Sequence, residues 1–272
     1  MSWTALRIRG ATRRDEIIAA LFAAGAEGVH EDGDDVVTHF PDVGAIEGVI
    51  ATVHAIDAGA DCVTTPAPQV DWSVAWRDRI GAFTVDAIAI APPWLAEGFE
   101  TSRTVVIDPG MAFGTGDHAS TRGALRLMQR CLTPGVVVAD LGAGSAVLAI
   151  AAAKLGASRV FAIEVDPDAI RNAQENIDRN GVSEVVHLFE GDAATLLPLV
   201  GPVDLVVANI ISSVLVDLLT TMARTLPSGG HAVLAGILGR GTRHRARRGL
   251  RGRIVAAEDH EEDWWSVALL HP

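Results

Sequence analysis

The feature that most constrains the fold of this chain is a continuous stretch from Val136 to Asp166, VVVADLGAGSAVLAIAAAKLGASRVFAIEVD. It begins with a short apolar run rich in β-branched residues, which is typical of a strand buried on both faces. Gly142 and Gly144 then allow a tight turn that a ligand can approach closely. An alanine-rich helix that ends at Gly156 and a second buried strand, Val160 to Val165, complete the pattern. The stretch therefore predicts a βαβ unit with a nucleotide-type turn.

Two classes of cofactor compete for such a turn. A dinucleotide site has the spacing G-x-G-x-x-G, and Val147 stands where its third glycine would be. The chain has D-x-G-x-G instead, at Asp140, Gly142 and Gly144, which resembles the S-adenosylmethionine (SAM) turn of Rossmann-like methyltransferases. The carboxylate of Asp140 would accept a hydrogen bond from the α-amine of SAM. Glu164, about 20 residues further along the chain, would bind the ribose diol. The alternative is an ordinary βα turn with acidic surface residues.

Length and composition limit the classes of protein to consider. With 272 residues, the chain has room for one large α/β domain and a small one. Charged residues interrupt its apolar runs and its first residues lack the apolar core of a signal peptide, so we expect a cytoplasmic protein without a membrane segment. Cys62 and Cys131 are too few for a disulfide framework or a metal site, and we predict no bound metal. A net charge of −12 argues against non-specific binding of the whole chain to a nucleic-acid backbone and is compatible with a basic protein substrate.

Residues 1–66 are predicted to form a separate small module. Alternating apolar residues predict strands, and apolar stripes at helical spacing predict two helices, the first of them capped by Thr12. The β-α-β-α-β order suggests a ferredoxin-like α+β domain, and its lack of clustered His, Cys or carboxylate residues favours a recruiting or structural role. The predicted elements are the strands Trp3–Ile8, Val36–Phe40 and Cys62–Thr65 and the helices around Ile17–Phe22 and Val43–Ile56.

Residues 67–98 are predicted to connect this module to a domain that comprises residues 99–272. The connection begins with a proline-bearing hinge. It continues with a short helix, Asp71 to Arg79, in which two tryptophans lie one turn apart and form an apolar latch. A single strand from Phe83 to Ile90 is predicted to follow.

Polar residues follow several predicted strands of the larger domain. The glycine-rich stretch from Val105 to Arg122 predicts a ligand-lining loop, in which His118 more often serves as a hydrogen-bonding scaffold than as a base. Asp192, after the third strand, is a candidate acceptor for an adenine amine, although an ordinary turn acid has the same pattern. Asn209 ends the fourth strand.

An arginine-rich stretch, Thr242 to Leu250, has two interpretations. It is either a contact for RNA or a solvated helix face that is balanced by the acids between Glu258 and Asp263. The other elements predicted in this half of the chain are a helix from Pro167 to Arg179 capped by Asp166, a helix from Val214 to Leu226, and strands from His231 to Leu238 and from Trp264 to Leu270.

Three motifs occur together in the order of a known family. The first motif, DPGMAFGTGDHASTR, resembles the family's DPG-x-AFGTG-x-H-x-x-T loop. The second, DLGAGSAVLAIAAAKLGA, resembles its D-x-G-x-GSG-x-LAIAA segment, and the third, DLVVANIISSVL, resembles its VVANI-L segment. DWSVAWRD resembles a linker helix of the same family. Over essentially the whole chain, the sequence thus resembles the PrmA family, the methyltransferases of large-subunit ribosomal protein eleven.

The resemblance implies a fold, a cofactor and a reaction. The fold would be a Rossmann-like, seven-stranded SAM methyltransferase domain behind a small α+β domain that recognises the substrate. The activity would be SAM-dependent N-methylation of lysine side chains and of the N-terminal α-amine of the ribosomal protein. Asn209 would be the catalytic residue, because its place at the end of the fourth strand suits a group that orients the attacking nitrogen.

The resemblance also extends to single binding positions. The residues that match the family's SAM-binding positions are Thr121, Gly142, Glu164 and Asn209. Together with the residues chosen above, the predicted cofactor site consists of Thr121, Asp140, Gly142, Gly144, Glu164, Asp192 and Asn209. The chain departs from the family at Glu164, where an Asp is usual, and at Ala146, where a third glycine is usual.

The expected partner is the ribosomal protein, bound by a monomer that contacts neither DNA nor membranes directly. One alternative is a methyltransferase for RNA or a small molecule, with the arginine-rich stretch as its contact. The other is a SAM-binding scaffold without turnover, a possibility that Ala146 and Asp117 keep open because both replace residues usual in the family.

Overall fold

The computed structural model describes residues 4–26, 28–40, 43–66, 80–108, 116–239 and 254–272. The predicted linker helix, residues 109–115 of the glycine-rich loop and the arginine-rich stretch lie outside these residues. The chain divides into two compact units, of which the second comprises Ile80–Pro272. Across the described ranges, no helix has both the length and the apolar composition needed to span a membrane.

The first unit contains one sheet and two helices. Its elements are β1 (Thr4–Arg9), α1 (Arg14–Ala23), β2 (Val29–Asp32), β3 (Asp35–Phe40), α2 (Val43–Ile56) and β4 (Asp61–Pro66). The sheet is antiparallel and has the order β2-β3-β1-β4. Leu6 and Ile8, on one face of β1, are fully buried in a core with Ile17 and Leu21 of α1. This β-α-β-β-α-β arrangement is ferredoxin-like and confirms the predicted α+β fold.

Two details of the first unit differ from the prediction. Strand β2 was not predicted, because a four-residue segment with one apolar residue carries little alternation; it joins β3 in a hairpin through Gly33, whose φ is +61°. Thr12 does not cap α1. Its backbone N–H and its hydroxyl both donate to Oδ2 of Asp57, each at 2.7 Å, so it ties the start of α1 to the end of α2.

The second unit contains a large sheet, a small sheet and five described α-helices. Its strands are β5 (Phe83–Val85), β6 (Ile88–Ala91), β7 (Thr104–Val106), β8 (Val137–Leu141), β9 (Arg159–Glu164), β10 (Val186–Glu190), β11 (Leu205–Asn209), β12 (His231–Leu238), β13 (Ile254–Glu261) and β14 (Trp264–Leu270). Its helices are α3 (Ala119–Cys131), α4 (Val147–Lys154), α5 (Pro167–Arg179), α6 (Ala193–Leu196) and α7 (Ser212–Thr225).

The large sheet has seven strands in the order β10-β9-β8-β11-β12-β14-β13. The first five strands in this order, from β10 to β12, are parallel to one another. Strand β14 lies between β12 and β13 and runs antiparallel to both. The sheet confirms the predicted seven-stranded, Rossmann-like domain. The chain leaves β8 on one side toward β9 and later returns on its other side as β11, so the switch point lies between β8 and β11. Sheets of this kind bind ligands beyond the carboxyl ends of their strands, at that point.

The small sheet corrects the prediction of one strand from Phe83 to Ile90. The segment forms two antiparallel strands, β5 and β6, joined at Asp86, whose φ of +49° bends the backbone sharply. The N–H of Ala87 in this turn donates to Oε1 of Gln129 on α3 at 2.9 Å. Both strands therefore lie in the second unit, and β7 pairs with β6 in parallel.

Strand β13 was not predicted, and it carries several of the acidic residues at 258–263. Asp259 accepts two hydrogen bonds from Arg126 of α3, at 3.0 and 2.7 Å, and Glu261 pairs with Arg122 and Arg126. Asp259 and Glu261 thus have arginine partners on α3. The arginine-rich stretch lies outside the described residues, so its balance by these acids stays a prediction.

Candidate active site

A cavity of about 850 Å³ opens at the carboxyl ends of β8, β9, β10 and β11, beside the switch point of the large sheet. It combines a few polar groups with mostly apolar surface, as sites for small molecules do. The described residues that line it are His118, Ser120, Gly142, Gly144, Ile163, Glu164, Val165, Asp166, Gly191, Asp192, Ala193, Asn209, Ile210, Ile211, Val214, Leu218, Gly236 and Trp264.

The turn between β8 and α4 forms one side of the cavity. Gly142 and Gly144 have φ values of +70° and +53°, which L side chains rarely adopt, and a Cβ on Gly142 would clash with Cγ2 of Ile210. Ala146 also has a positive φ, of +65°, but it is fully buried and packs in the core rather than at the cavity. The turn thus presents bare backbone to the cavity, as close approach of a ligand requires.

Glu164 joins this turn to the start of α5. Its Oε2 accepts the N–H of Gly144 at 2.8 Å, and its Oε1 accepts the N–H groups of Val165 and Asp166 at 2.8 and 2.9 Å. Only 7% of Glu164 is exposed, yet the residue lines the cavity. A carboxylate has about four acceptor positions. Three backbone donors therefore leave capacity for a hydroxyl of a ligand.

Two further acids stand at helix starts around the cavity. Asp166 caps α5 by accepting the N–H of Asp168 at 3.0 Å, and Asp192 caps α6 by accepting the N–H of Ala194 at 2.6 Å. Each cap uses one carboxylate oxygen for the backbone. Because both residues line the cavity, they present fixed negative charge to whatever enters it.

The opposite end of the cavity holds Asn209 and an aromatic pair. Nδ2 of Asn209 donates to Oγ1 of the fully buried Thr121 at 3.1 Å. His118 caps α3 through Ser120, and its ring meets the ring of Trp264 edge-on, with centroids 4.5 Å apart. His118 thus has the scaffold contacts that the sequence favoured over the role of a base.

Asp140 lies beneath the glycine turn, and the described residues that line the cavity do not include it. Its Oδ2 accepts the N–H of Ala149 in the first turn of α4 at 3.0 Å, and its Oδ1 has no partner among the described residues. Complete burial raises the pKa of Asp140 to about 7, and the charge of Glu164 adds to this increase. The geometry makes Asp140 a link between β8 and α4.

We expect the substitution Asp140→Asn to stabilise the protein more at pH 8 than at pH 6. Burial raises the pKa of this carboxyl to about 7, so the folded chain holds a proton that the unfolded chain releases near pH 4. The stability associated with this proton is lost as pH rises through 7, by roughly 1.4 kcal/mol between pH 6 and pH 8. Asparagine removes that loss and can still accept from Ala149. Urea unfolding of both proteins at the two pH values tests this; an equal difference at both would contradict it.

The structure brings five predicted residues together at the cavity and places two behind it. The five are Gly142, Gly144, Glu164, Asp192 and Asn209. Asp140 and Thr121 are buried behind the lining and contact its backbone or side chains. Among the described residues, no group of three or more His, Cys, Asp or Glu side chains has an arrangement that could hold a metal ion.

Several lining residues were missed by sequence reasoning. Val165 and Ile210 each follow a polar residue at a strand end, and that position is a usable signal for the wall of a site. Gly236 interrupts a predicted strand, which is a known sign of close backbone approach. Trp264 begins the last predicted strand and carries no signal that separates a cavity wall from core packing.

Comparisons with known proteins show which family this chain resembles. The family model of the ribosomal protein L11 methyltransferase (PrmA) matches residues 3–271. The ribosomal protein L11 methyltransferase of Symbiobacterium thermophilum is 40% identical over 208 residues, which cover 74% of this chain and 66% of that protein, slightly less than two thirds of its length. The protein of the same name from Chloroflexus aurantiacus is 37% identical over 254 residues, which cover 83% of this chain and 76% of that one.

A solved structure is also similar. The crystal structure of ribosomal protein L11 methylase from Lactobacillus delbrueckii subsp. bulgaricus matches with a TM-score of 0.64 and 28% sequence identity, and the match covers 71% of this chain and 99% of that chain. The likeness thus extends over most of both chains. Since the family model matches nearly every residue, the chain belongs to the ribosomal protein L11 methyltransferase (PrmA) family.

Proposed function

We propose that this protein is a SAM-dependent N-methyltransferase that acts on ribosomal protein L11. The observation that carries the proposal is the cavity at the switch point, where a bare glycine turn, the carboxylate of Glu164 and the amide of Asn209 face the same space. Membership of the family supplies the substrate and the reaction. We further propose lysine side chains and the N-terminal α-amine as targets, as the family resemblance implies.

The groups that line the cavity suit the chemistry of SAM. Glu164 retains acceptor capacity for the ribose diol, and Asp192 has an oxygen left for the exocyclic amine of adenine after it caps α6. Val165 and Ile210 offer apolar surface for the faces of a base. The glycine turn lets the backbone approach the ligand closely, because it carries no side chain. A Cβ at Gly142 would also clash with Ile210. When bound, SAM supplies an electrophilic methyl group on a positively charged sulfur.

The residues at the other end of the cavity prepare the amine. Methyl transfer needs a neutral amine in line with the methyl group, so the protein contributes position and exclusion of water. Because Nδ2 of Asn209 donates to Thr121, its Oδ1 is left to accept from the attacking nitrogen. The apolar and aromatic lining lowers the pKa of an amine that enters, because desolvation disfavours its charged form.

The first unit is proposed to recruit the substrate. Its fold carries no catalytic cluster in the sequence, and the net charge of −12 suits a partner as basic as a ribosomal protein. We propose that the reaction takes place in the cytoplasm, where new ribosomal proteins are present. The alternatives, methylation of RNA or of a small molecule and SAM binding without turnover, become outcomes of the test below.

The test is a methylation assay with tritium-labelled SAM. The purified enzyme is incubated in parallel with ribosomal protein L11 and with ribosomal RNA, and the label in each is counted. The proposal requires label in the protein, located by mass spectrometry on lysine or on the α-amine. Label in the RNA alone would replace the substrate, and SAM binding without label in either would favour a scaffold.

We expect Glu164→Gln to weaken SAM binding about 10- to 100-fold, because a hydrogen bond to a charged group contributes roughly 1.5–3 kcal/mol. Isothermal titration calorimetry of wild type and variant measures the change. The matched control is Asp168→Asn, which removes an exposed acid two residues beyond Asp166 that does not line the cavity. Equal affinity of Glu164→Gln and wild type would remove Glu164 from the cofactor site.

A further inference from the structure

Helix α5 and its C-terminal cap carry asparagines four residues apart, and their side chains clamp the backbone at the end of β7. Asn172, Asn176 and Asn180 all make hydrogen bonds to backbone groups of residues 106–108. Asn176 is fully buried, which is unusual for an amide unless all its hydrogen bonds are made. The cluster lies outside the cavity, and nothing in the proposed mechanism uses it.

The asparagines take the place of a neighbouring strand. Ile107 turns toward β6, where its N–H donates to Ala91, so Val106 and Asp108 turn their backbone groups the other way, toward α5. The amide of Asn180 accepts from the N–H of Val106 at 2.9 Å and donates to its carbonyl at 2.7 Å. The amide of Asn176 accepts from the N–H of Asp108 at 3.0 Å and donates to its carbonyl at 3.5 Å.

The spacing of the asparagines along the helix matches the spacing of alternate residues along an extended backbone, which explains how successive amides reach successive backbone groups. Four residues of a helix advance by about 6.0 Å. Two residues of a strand advance by about 6.6 Å. Amides at i and i+4 of α5 therefore meet alternate residues of the strand in register. Asn172 continues the row with a bond from Nδ2 to the carbonyl of Asp108 at 3.2 Å.

Asn176 makes several contacts that Asn180 lacks. Its Nδ2 donates to Oδ1 of Asn172 at 3.3 Å, and its Oδ1 accepts from Nη1 of Arg179 at 2.6 Å. Its Nδ2 also donates to the carbonyl of Ser145 at 3.1 Å, in a buried position at the end of the glycine turn. Gly144, the residue before Ser145, donates its N–H to Glu164 from the cavity side. The turn is thus held from two sides, by Glu164 at the cavity and by Asn176 behind it, and Asn176 links it to Asp108 at the entry to the glycine-rich loop.

We propose that Asn176 is a positioning residue for the cofactor, which acts by holding the glycine turn at Ser145. This inference rests on the proposed function, because it assigns a role in SAM binding. Without the donor at Asn176, the turn that carries Gly142 and Gly144 loses its hydrogen bond to α5 and is held less firmly from behind. Since a ligand that contacts bare backbone depends on the position of that backbone, its affinity falls.

The test compares Asn176→Asp with Asn180→Asp by calorimetry with SAM and by thermal unfolding. Each substitution keeps an acceptor oxygen and removes the side-chain donor to a carbonyl of residues 106–108. Asn176→Asp also removes the bonds to Asn172 and Ser145, and of these only the bond to Ser145 reaches the glycine turn. We expect Asn176→Asp to weaken SAM binding at least tenfold and to raise KM for SAM, with kcat at saturating SAM within about threefold of wild type. We expect Asn180→Asp to lower Tm similarly and to leave SAM affinity within twofold.

A second variant keeps the inference testable if Asn176→Asp does not fold. Asn176→Ser leaves room in which a water molecule can satisfy the freed backbone groups, and the same loss of affinity is expected. Equal SAM affinity of folded Asn176→Asp or Asn176→Ser and wild type would overturn the inference, as would an equal loss in Asn180→Asp. Failure of the wild-type protein itself to bind SAM would overturn the proposed function, and this result is distinct from the other two.

Discussion

Replacing Asn209 by alanine is expected to lower kcat for methyl transfer by about 100-fold, with a smaller effect on the affinity for SAM. Asn209 ends β11 at the switch point and lines the cavity. Its amide is oriented by the bond from Nδ2 to Thr121, so the variant loses an acceptor in a fixed place for the attacking amine. Single-turnover assays with L11, together with calorimetry for SAM, separate the two effects. Full turnover with unchanged SAM affinity would remove Asn209 from the mechanism.

Thr121→Val provides the matched control for that result. Valine keeps the shape of the buried threonine but cannot accept from Asn209, so the amide remains present and loses its orientation. We expect kcat to fall by about tenfold, less than in Asn209→Ala. If the two residues act as one unit, the double variant is no slower than Asn209→Ala alone. Additive losses would mean that Thr121 acts independently of Asn209.

Replacing Gly236 by alanine is expected to destabilise the protein by about 2–5 kcal/mol, the sum of left-handed strain and overpacking. Gly236 has a φ of +80°, and a Cβ on it would lie 2.5 Å from the carbonyl oxygen of Ile210 and 3.0 Å from its carbonyl carbon. The backbone of Ile210 would have to move, and Ile210 lines the cavity directly after Asn209. We therefore expect weaker SAM binding as well.

Gly239→Ala is the control for this substitution. Gly239 has a similar φ of +70°, but a Cβ there would meet no described atom within 4 Å. The control should cost only the backbone strain, about 1–2 kcal/mol. Urea unfolding of both variants gives the difference, which reports the clash with Ile210. Equal destabilisation of the two would show that β12 adjusts without moving Ile210.

The elements that could be predicted from sequence are those whose apolar pattern is local. Helix α5 and strand β14 have the predicted bounds, because their caps, proline and alternation lie within a few residues. Strand β13 could not be predicted in this way. Its exposed and half-buried residues include Asp259 and Glu261, whose arginine partners lie 133 to 139 residues earlier on α3. Only the folded sheet makes this polar segment a strand.

The candidate site shows the same division between local and long-range information. The motif identified Glu164 and Gly142, whose chemistry depends on neighbours in the same βαβ unit. The motif could not show that Asp140 points into the protein, because an acid at the end of a strand can face a ligand or a helix. The contacts of Asn176 were likewise invisible, since Ser145 and Asp108 reach it from two other segments of the chain.

The position of β14 has a consequence for the order in which the molecule is made. In the large sheet this strand is the last to be synthesised, yet it lies between β12 and β13 and contains the fully enclosed side chain of Trp265. Until it emerges from the ribosome, β12 has an open edge and β13 has no neighbour with which to pair. An unpaired edge of this kind recruits other chains. A nascent chain that stops before Trp264 therefore exposes the edge of β12 to other chains, and pairing of β14 closes that edge.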